Sequence, residues 1–407
     1  MERADASNLE IAHTDFYPTQ FSSDMSPFTP PTQTSVGWIP AHPIYGAISM
    51  RRYWQALSEN LREDDAFQVH SVIQPQDIQA PTGVLGSAKR YWQRRVSYPR
   101  LIRRKFRGEI GHVLDHSWAD MLPHLPKGTL KVVTVHDLIP LRFPGELTAA
   151  QSARFQGWVS HIRDADAVIA DSAYTKGEVA ALLDVPAEQI QVVPCGVVMP
   201  DSHSVQRPLA SVPKNPAVFT VGSIGSTISR KNLGILPAAF SQYARSSGKK
   251  IRLVRVGGRL SEALANELRG ILGDDGLIEL GYLSDEEVGA FYQAMDGVVV
   301  PSLYEGFGLP VLEALAHGTP VICSNTTSLP EVGGDEAIYF DPTSPEELAV
   351  RLTQLATAGV TDAWREQARA RAARFSWRAS LEGVHSVYEE CLARRHSDPS
   401  AFGRNPL

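Results

Sequence analysis

A chain of 407 residues, 43% hydrophobic and 21% charged, has the make-up of a globular protein and the length of two domains. Its formal net charge of −6 argues against general nucleic-acid binding, while leaving room for a local basic patch. Cys195, Cys323 and Cys391 stand far apart without metal-ligand spacing, as expected of free thiols in a reducing compartment.

The opening residues Met1-Glu2-Arg3-Ala4-Asp5 lack an apolar stretch suited to a signal peptide. No run approaches the roughly 20 apolar residues that a membrane-spanning helix needs. The expected location is therefore cytoplasmic, at most peripheral on the inner face of a membrane. Residues 1–34 are rich in Ser, Thr and Pro and read as a loose extension, with Phe16, Tyr17, Phe21 and Phe28 available to dock onto the body. A turn, Tyr45-Gly46-Ala47-Ile48-Ser49, then precedes a helical run from Met50 to Leu61.

Short apolar runs alternate with helical patterns from there on. The first series is Phe67-Gln68-Val69, Val132-Val133-Thr134-Val135, Ala167-Val168-Ile169-Ala170 and Gln191-Val192-Val193. The second is Val218-Phe219-Thr220-Val221, Ile251 to Val256, Val298-Val299-Val300 and Val321-Ile322-Cys323. Strands alternating with helices imply parallel sheets covered on both faces. The polar, aperiodic stretch 201–216, ending Pro213-Lys214-Asn215-Pro216, is the expected linker between two doubly wound domains, 35–200 and 217–376.

Residues 89–107, from Lys89-Arg90-Tyr91-Trp92 to Arg103-Arg104-Lys105-Phe106-Arg107, hold no acidic residue. Basic and aromatic side chains interleaved in this way suit anionic lipid headgroups or a lipid diphosphate; a solvated basic face would look the same. In Val135-His136-Asp137-Leu138 a histidine follows an apolar strand, at the edge where open α/β sheets bind ligands. Asp137 can orient it or cap the next helix. Asp164-Ala165-Asp166 mimics a metal-binding pair, yet it immediately precedes a buried strand and reads as a structural edge. No metal and no resident cofactor is expected.

Val221-Gly222-Ser223-Ile224 reads as a strand end entering a glycine turn, and Arg230-Lys231-Asn232 follows. Adjacent cations near a helix start can neutralise charge that grows on a departing phosphate. Farther on, Pro301-Ser302-Leu303-Tyr304-Glu305-Gly306-Phe307-Gly308-Leu309-Pro310 leads from a strand into a helix bearing Glu313. Gly306 and Gly308 leave room for a ligand to approach the backbone, and free N–H groups at the helix start favour an anion. Glu305 and Glu313 flank this loop. Such a joint would hold a diphosphate attached to hydroxyl-rich groups; a plain strand-loop-helix joint with solvated carboxylates shares the pattern.

Glu-x7-Glu within Glu305-Gly306-Phe307-Gly308-Leu309-Pro310-Val311-Leu312-Glu313-Ala314 resembles the signature of retaining glycosyltransferases of family 4. The likeness continues through Gly318-Thr319-Pro320-Val321-Ile322 and Ser328-Leu329-Pro330-Glu331-Val332, and upstream to Gly281-Tyr282-Leu283-Ser284-Asp285. It covers about residues 110–390. The resemblance implies the α/β GT-B fold, two doubly wound Rossmann-like domains facing an interdomain cleft, with a final segment 377–407 crossing back to the first domain.

The same resemblance implies roles. Lys231 and Arg230 would meet the donor diphosphate, although Gly225 to Ser229 are extra residues before that pair, with Gly222 and Ser223 at the strand end. Glu313 would hold the ribose, Glu305 would lie near the transferred sugar, and the N–H groups of Phe307, Gly308 and Leu309 would complete the grip. Tyr282 and Leu283 would hold the base or simply pack. His136 would contact the transferred sugar, and Gly46 would face the diphosphate. The implied activity is metal-independent, retaining transfer of a hexose, mannose from GDP-mannose foremost, from a nucleotide-diphosphate sugar to a glycan or lipid-linked acceptor in cell-surface polysaccharide or glycolipid synthesis. A nucleotide-sugar epimerase, a phosphorylase or a non-catalytic scaffold on the same fold remain alternatives.

Overall fold

The computed structural model describes residues 33–42, 48–73, 83–200, 209 and 211–397. Gly46, the extension 1–32 and most of 201–210 lie outside the described residues. Six parallel strands form the first sheet: β1 (Thr34–Ile39), β2 (Phe67–Ser71), β3 (Ile110–Val113), β4 (Leu130–Val135), β5 (Ala167–Ala170) and β6 (Ile190–Val192). Their order is β2-β1-β3-β4-β5-β6. The second sheet holds β7 (Val218–Gly225), β8 (Lys250–Gly257), β9 (Leu277–Gly281), β10 (Gly297–Val300), β11 (Val321–Ser324) and β12 (Ile338–Phe340), ordered β12-β11-β10-β7-β8-β9.

Every residue of β3, β5, β10 and β11 is buried, as expected of parallel strands with helices on both faces. Each sheet reverses its winding once. In the second sheet the reversal falls between β7 and β10, and loops leaving the carboxyl ends of such neighbours enclose a ligand crevice. That places the Arg230-Lys231 segment beside the Glu305 loop, although the sequence separates them by 74 residues.

One expectation needs correction here. The strand does not end at Gly222; β7 runs on to Gly225. Gly222 pairs with Val254 and Val298 within the sheet, where an added Cβ would fall 2.6 Å from the Phe291 ring. Its missing side chain makes room for the helix Asp285–Ala294.

The helix Trp377–Ser397 packs against the first sheet. The Val197 N–H donates to the Phe375 carbonyl at 2.7 Å, Ser380 Oγ donates to the Pro194 carbonyl at 2.6 Å, and Arg378 pairs with Asp65 at 2.7 Å. At its centre Tyr388 Oη accepts from Trp38 Nε1 at 2.9 Å and lies 2.6 Å from His112 Nδ1. Burial pushes His112 down to about 3, so the ring is neutral. With the Tyr388 hydroxyl donating to Nδ1, the arrangement that satisfies the phenol proton, the Nε2–H donates to Thr134 Oγ1 at 2.7 Å. Removing that hydroxyl strands a buried donor and a buried acceptor. Tyr388→Phe is expected to lower unfolding free energy by about 1–3 kcal/mol with an unchanged urea slope, measured by equilibrium denaturation.

Candidate active site

The loop after β10 is shaped by its own hydrogen bonds. Glu305 is 7% exposed, and its Oε1 accepts from Lys231 Nζ and from Ser302 Oγ, each at 2.6 Å. Its N–H donates to Thr327 Oγ1 at 3.2 Å. Arg230 Nη1 stands 3.9 Å from Glu305 Oε2 and 3.4 Å from the Tyr304 carbonyl. The loop closes through Ser328, whose hydroxyl lies 3.0 Å from the Glu305 carbonyl and 2.8 Å from that of Phe307. Gly308, with φ of 111°, occupies the left-handed region at the start of helix Leu309–Ala316, with Pro310 in its first turn; a side chain would strain that turn. The N–H groups of Phe307, Gly308 and Leu309 donate to no protein acceptor among the described residues.

Glu313 sits one turn into the helix, with a different neighbourhood. Its Oε2 accepts from Tyr292 Oη at 2.7 Å, and Tyr292 stacks on His317 with ring centroids 5.3 Å apart. Burial raises the Glu313 pKa, partly offset by that hydrogen bond. Burial and the Glu313 charge together push Tyr292 far up, so the phenol remains a donor and holds the carboxylate in place. Tyr282 is 80% exposed, whereas Leu283 packs on the apolar core.

The first sheet contributes the opposite wall. Gly306 lies so close to the His136 backbone that an added Cβ would sit 2.0 Å from the His136 carbonyl oxygen. The Gly306 carbonyl accepts from Ser172 Oγ at 2.8 Å and Thr175 Oγ1 at 3.0 Å. Glu331 accepts from the N–H groups of Ala173 and Tyr174, both at 2.7 Å, at the start of helix Ala173–Leu183. Arg142 grips Glu178 through two nitrogens, at 2.7 and 2.5 Å, and Tyr304 Oη reaches Glu178 at 3.5 Å.

His136 Nδ1 meets Asp171 Oδ2 at 2.6 Å and Nε2 meets the Leu114 carbonyl at 2.9 Å, so both ring nitrogens donate to oxygens of the first domain and neither is left for a sugar. Burial alone would lower its pKa; the Asp171 charge and hydrogen bond, with Asp115 and the Leu114 carbonyl, push it up to about 9. Asp137 instead accepts from the Ile139 N–H at 3.1 Å. Asp171 escaped the sequence reading although it follows β5 as His136 follows β4. His136, Asp171 and Cys195 bring potential metal ligands within 4.8 Å of one another, but the direct 2.6 Å bond between His136 and Asp171 leaves no gap for an ion between them. Asp166, of the other acidic pair, accepts from the Lys131 N–H at 2.7 Å and ties two strands together.

Comparison with known proteins places this geometry. The sequence profile for "Glycosyltransferase Family 4" matches residues 50–199, and that for "Glycosyl transferases group 1" matches residues 215–358. The O-antigen chain mannosyltransferase B of Escherichia coli is 30% identical over 278 residues, 63% of this chain and 70% of that one. The chain belongs to glycosyltransferase family 4. Several other relatives are matched over only 27–32% of their own length. The fold is that of sucrose-phosphate synthase from Thermosynechococcus elongatus, with a TM-score of 0.63, 19% identity and coverage of 89% of this chain and 100% of that one. It is equally that of Anabaena HepE, with a TM-score of 0.62, 16% identity and coverage of 88% and 100%. Family membership and two parallel sheets of this topology make the protein a GT-B glycosyltransferase.

In this glycosyltransferase the His136–Asp171 pair supplies a pH signature. A histidine whose folded pKa is raised adds stability that is fully present below its unfolded value near 6.5 and is lost as pH rises through about 9. The difference in unfolding free energy between the wild type and Asp171→Asn is expected to shrink between those two pH values by on the order of 2–3 kcal/mol. Denaturation across a pH series measures it, and a flat difference would show that His136 is neutral in the folded protein.

Proposed function

We propose that this glycosyltransferase moves a hexose, mannose foremost, from a nucleotide-diphosphate sugar to a glycan or lipid-linked acceptor, with retention of configuration and without a metal. The observation that carries the proposal is the meeting of Lys231, Arg230 and Glu305 beside the unbonded N–H groups of Phe307, Gly308 and Leu309. A diphosphate seated there would compete with Glu305 for the Lys231 ammonium, and cations plus oriented amides stabilise the charge that develops on a leaving phosphate. Glu313, held by Tyr292, is suited to accept from ribose hydroxyls. Glu305, engaged by Lys231 and Ser302, fits an orienting anion better than a covalent nucleophile, which favours departure and attack on one face of the sugar. The choice of mannose follows the named activity of the O-antigen relative; HepE, in its complex with UDP and glucose, supports a nucleotide sugar as donor.

The activity test is a panel of GDP-, UDP-, dTDP- and ADP-sugars with glycan acceptors, followed by NMR of the product's anomeric proton, with and without a chelator. Retained configuration and chelator-insensitive transfer are expected. Glu305→Ala and Lys231→Ala should each lower kcat by at least about 100-fold with native thermal unfolding; wild-type turnover in both variants removes the pair from the mechanism.

The proposed acceptor side extends to a surface. Tyr91 and Trp92 are 66% and 54% exposed, and Arg100, Arg103, Arg104 and Lys105 are exposed on or beside helix Tyr98–Lys105. Arg94 does not join them: it is buried, bonded to Asp120 at 2.6 and 3.0 Å, and stacked on Trp118 and Trp158. No helix among the described residues is long and apolar enough to cross a membrane. A cationic, aromatic face on an acidic protein suits an anionic bilayer. Co-sedimentation with phosphatidylglycerol vesicles should exceed that with neutral vesicles, and the triple change Arg100→Glu, Arg103→Glu, Arg104→Glu should abolish the excess, each basic residue being worth about 1 kcal/mol. Equal pelleting with both vesicle types would reject the surface.

A further inference from the structure

Strand β8 carries an arginine where its neighbours are apolar. Leu253, Val254 and Val256 are buried, and Arg255 is 1% exposed. Among the described residues no carboxylate lies within hydrogen-bond distance of its guanidinium. Instead Nη1 donates to the carbonyls of Ser223 at 3.1 Å and Val256 at 2.6 Å, and Nη2 donates to those of Ser226, at 2.9 Å, and Gly225. Nε is buried without a partner among the described residues. Glu279, the neighbouring acid, is engaged by the Leu260 N–H at 2.9 Å and lies 3.8 Å from Arg269, so it acts on Arg255 only through space. Burial pushes Arg255 down to about 10, which leaves it charged at neutral pH.

A buried cation bonded to no carboxylate is costly, and what this one holds gives the reason. Gly225 and Ser226 open the segment Gly225 to Ser229 that lengthens the approach to Arg230-Lys231. A β-irregularity between Arg255 and Val256 sits where such features re-aim side chains. Gly225, at φ of 124°, takes a conformation that favours glycine, and its carbonyl also accepts from the Gly258 N–H at 3.1 Å. A Cβ on Gly225 would lie 4.0 Å from Lys231 Cε. The exposed loop that follows is thus anchored at its root, directly beside the side chain that pairs with Glu305.

We infer that Arg255 is the positioning residue of the donor-phosphate loop: its fork fastens the Gly225 and Ser226 carbonyls so that Arg230 and Lys231 are presented together, and its charge, hydrogen-bonded to carbonyls, adds to the field a diphosphate meets. The inference rests on the reading of the cleft as a nucleotide-sugar site. Calorimetric titration of the full chain with GDP, UDP, GMP and UMP tests it in the wild type, Arg255→Lys and Arg255→Met. Arg255→Met should weaken diphosphate binding about tenfold or more, with a smaller change for monophosphates, and raise the donor KM more than the acceptor KM. Arg255→Lys keeps the charge but loses the fork, and should fall between.

A purely structural Arg255 would lower the melting temperature of the variants and leave diphosphate affinity unchanged, which overturns the inference. Should Arg255→Met fail to fold, Arg255→Lys carries the titration. Hydrogen exchange of the wild type adds an independent reading: slow amides across 225–231 support the anchor, and exchange at the rate of a free loop rejects it. A wild type that binds none of the nucleoside diphosphates defeats the donor reading itself; tight binding shared equally by all three proteins defeats only the role of Arg255.

Discussion

Two hydroxyls on one backbone carbonyl hold the arrangement together. Ser172 and Thr175, from the first domain, both donate to the Gly306 carbonyl in the acidic loop of the second. The peptide they fix lies next to Glu305, so the same bonds that join the halves also set the direction of the loop amides. Glu331 adds a carboxylate at the start of the helix Ala173–Leu183, receiving two N–H groups that no intrahelical bond could satisfy. Being solvent-exposed, this contact is worth about 0.3–1 kcal/mol by the usual strength of a charge at a helix end. Its value is directional. A carboxylate gripped by two amides defines the approach of one domain to the other, and a cleft assembled from both walls performs chemistry only in the closed arrangement.

The sequence made the second half of this site readable because its chemistry is local. Glycines, two glutamates and a proline within a dozen residues describe the loop, and the order of strands needs only apolar runs to be recognised. The Lys231–Glu305 pair then follows from the winding of a parallel sheet. What stayed hidden depends on partners distant in sequence. β3 reads Ile-Gly-His-Val, and its histidine is tolerated in a buried strand only because Tyr388, 276 residues away, satisfies it. β1 and β9 are likewise interrupted by polar residues or glycine, and β12 is only three residues long. The glycine at 222 looked like a turn because glycine so often is one; its true reason is the Phe291 ring above it.

His136 shows the same limit from the other side. Position at a strand end correctly singled it out as unusual, yet the ring is spent on Asp171 and Leu114. The backbone, not the imidazole, touches the opposing loop: the His136 carbonyl lies against Gly306. Local pattern can say that a residue stands at a cleft, whereas the side chain's hydrogen-bond ledger, which decides its task, is written by tertiary neighbours.

Four buried cations among the described residues, His136, Arg94, Arg252 and Arg255, are held in two different ways. His136 faces Asp171, and Arg94 faces Asp120 between two tryptophan rings; each is balanced by an acid. Arg252 and Arg255 donate instead to carbonyl oxygens, and Arg255 also feels the Glu279 charge through space. A carboxylate partner would secure a guanidinium more cheaply, but it would also cancel its field. Carbonyl dipoles accept the hydrogen bonds and leave the net charge in place. Where the expected ligand is a dianionic phosphate, a cation beneath the loop lowers the cost of bringing that charge out of water. Arg255 differs from Arg252 in what its carbonyl partners belong to: the Gly225 and Ser226 carbonyls form the root of the loop that carries Arg230 and Lys231.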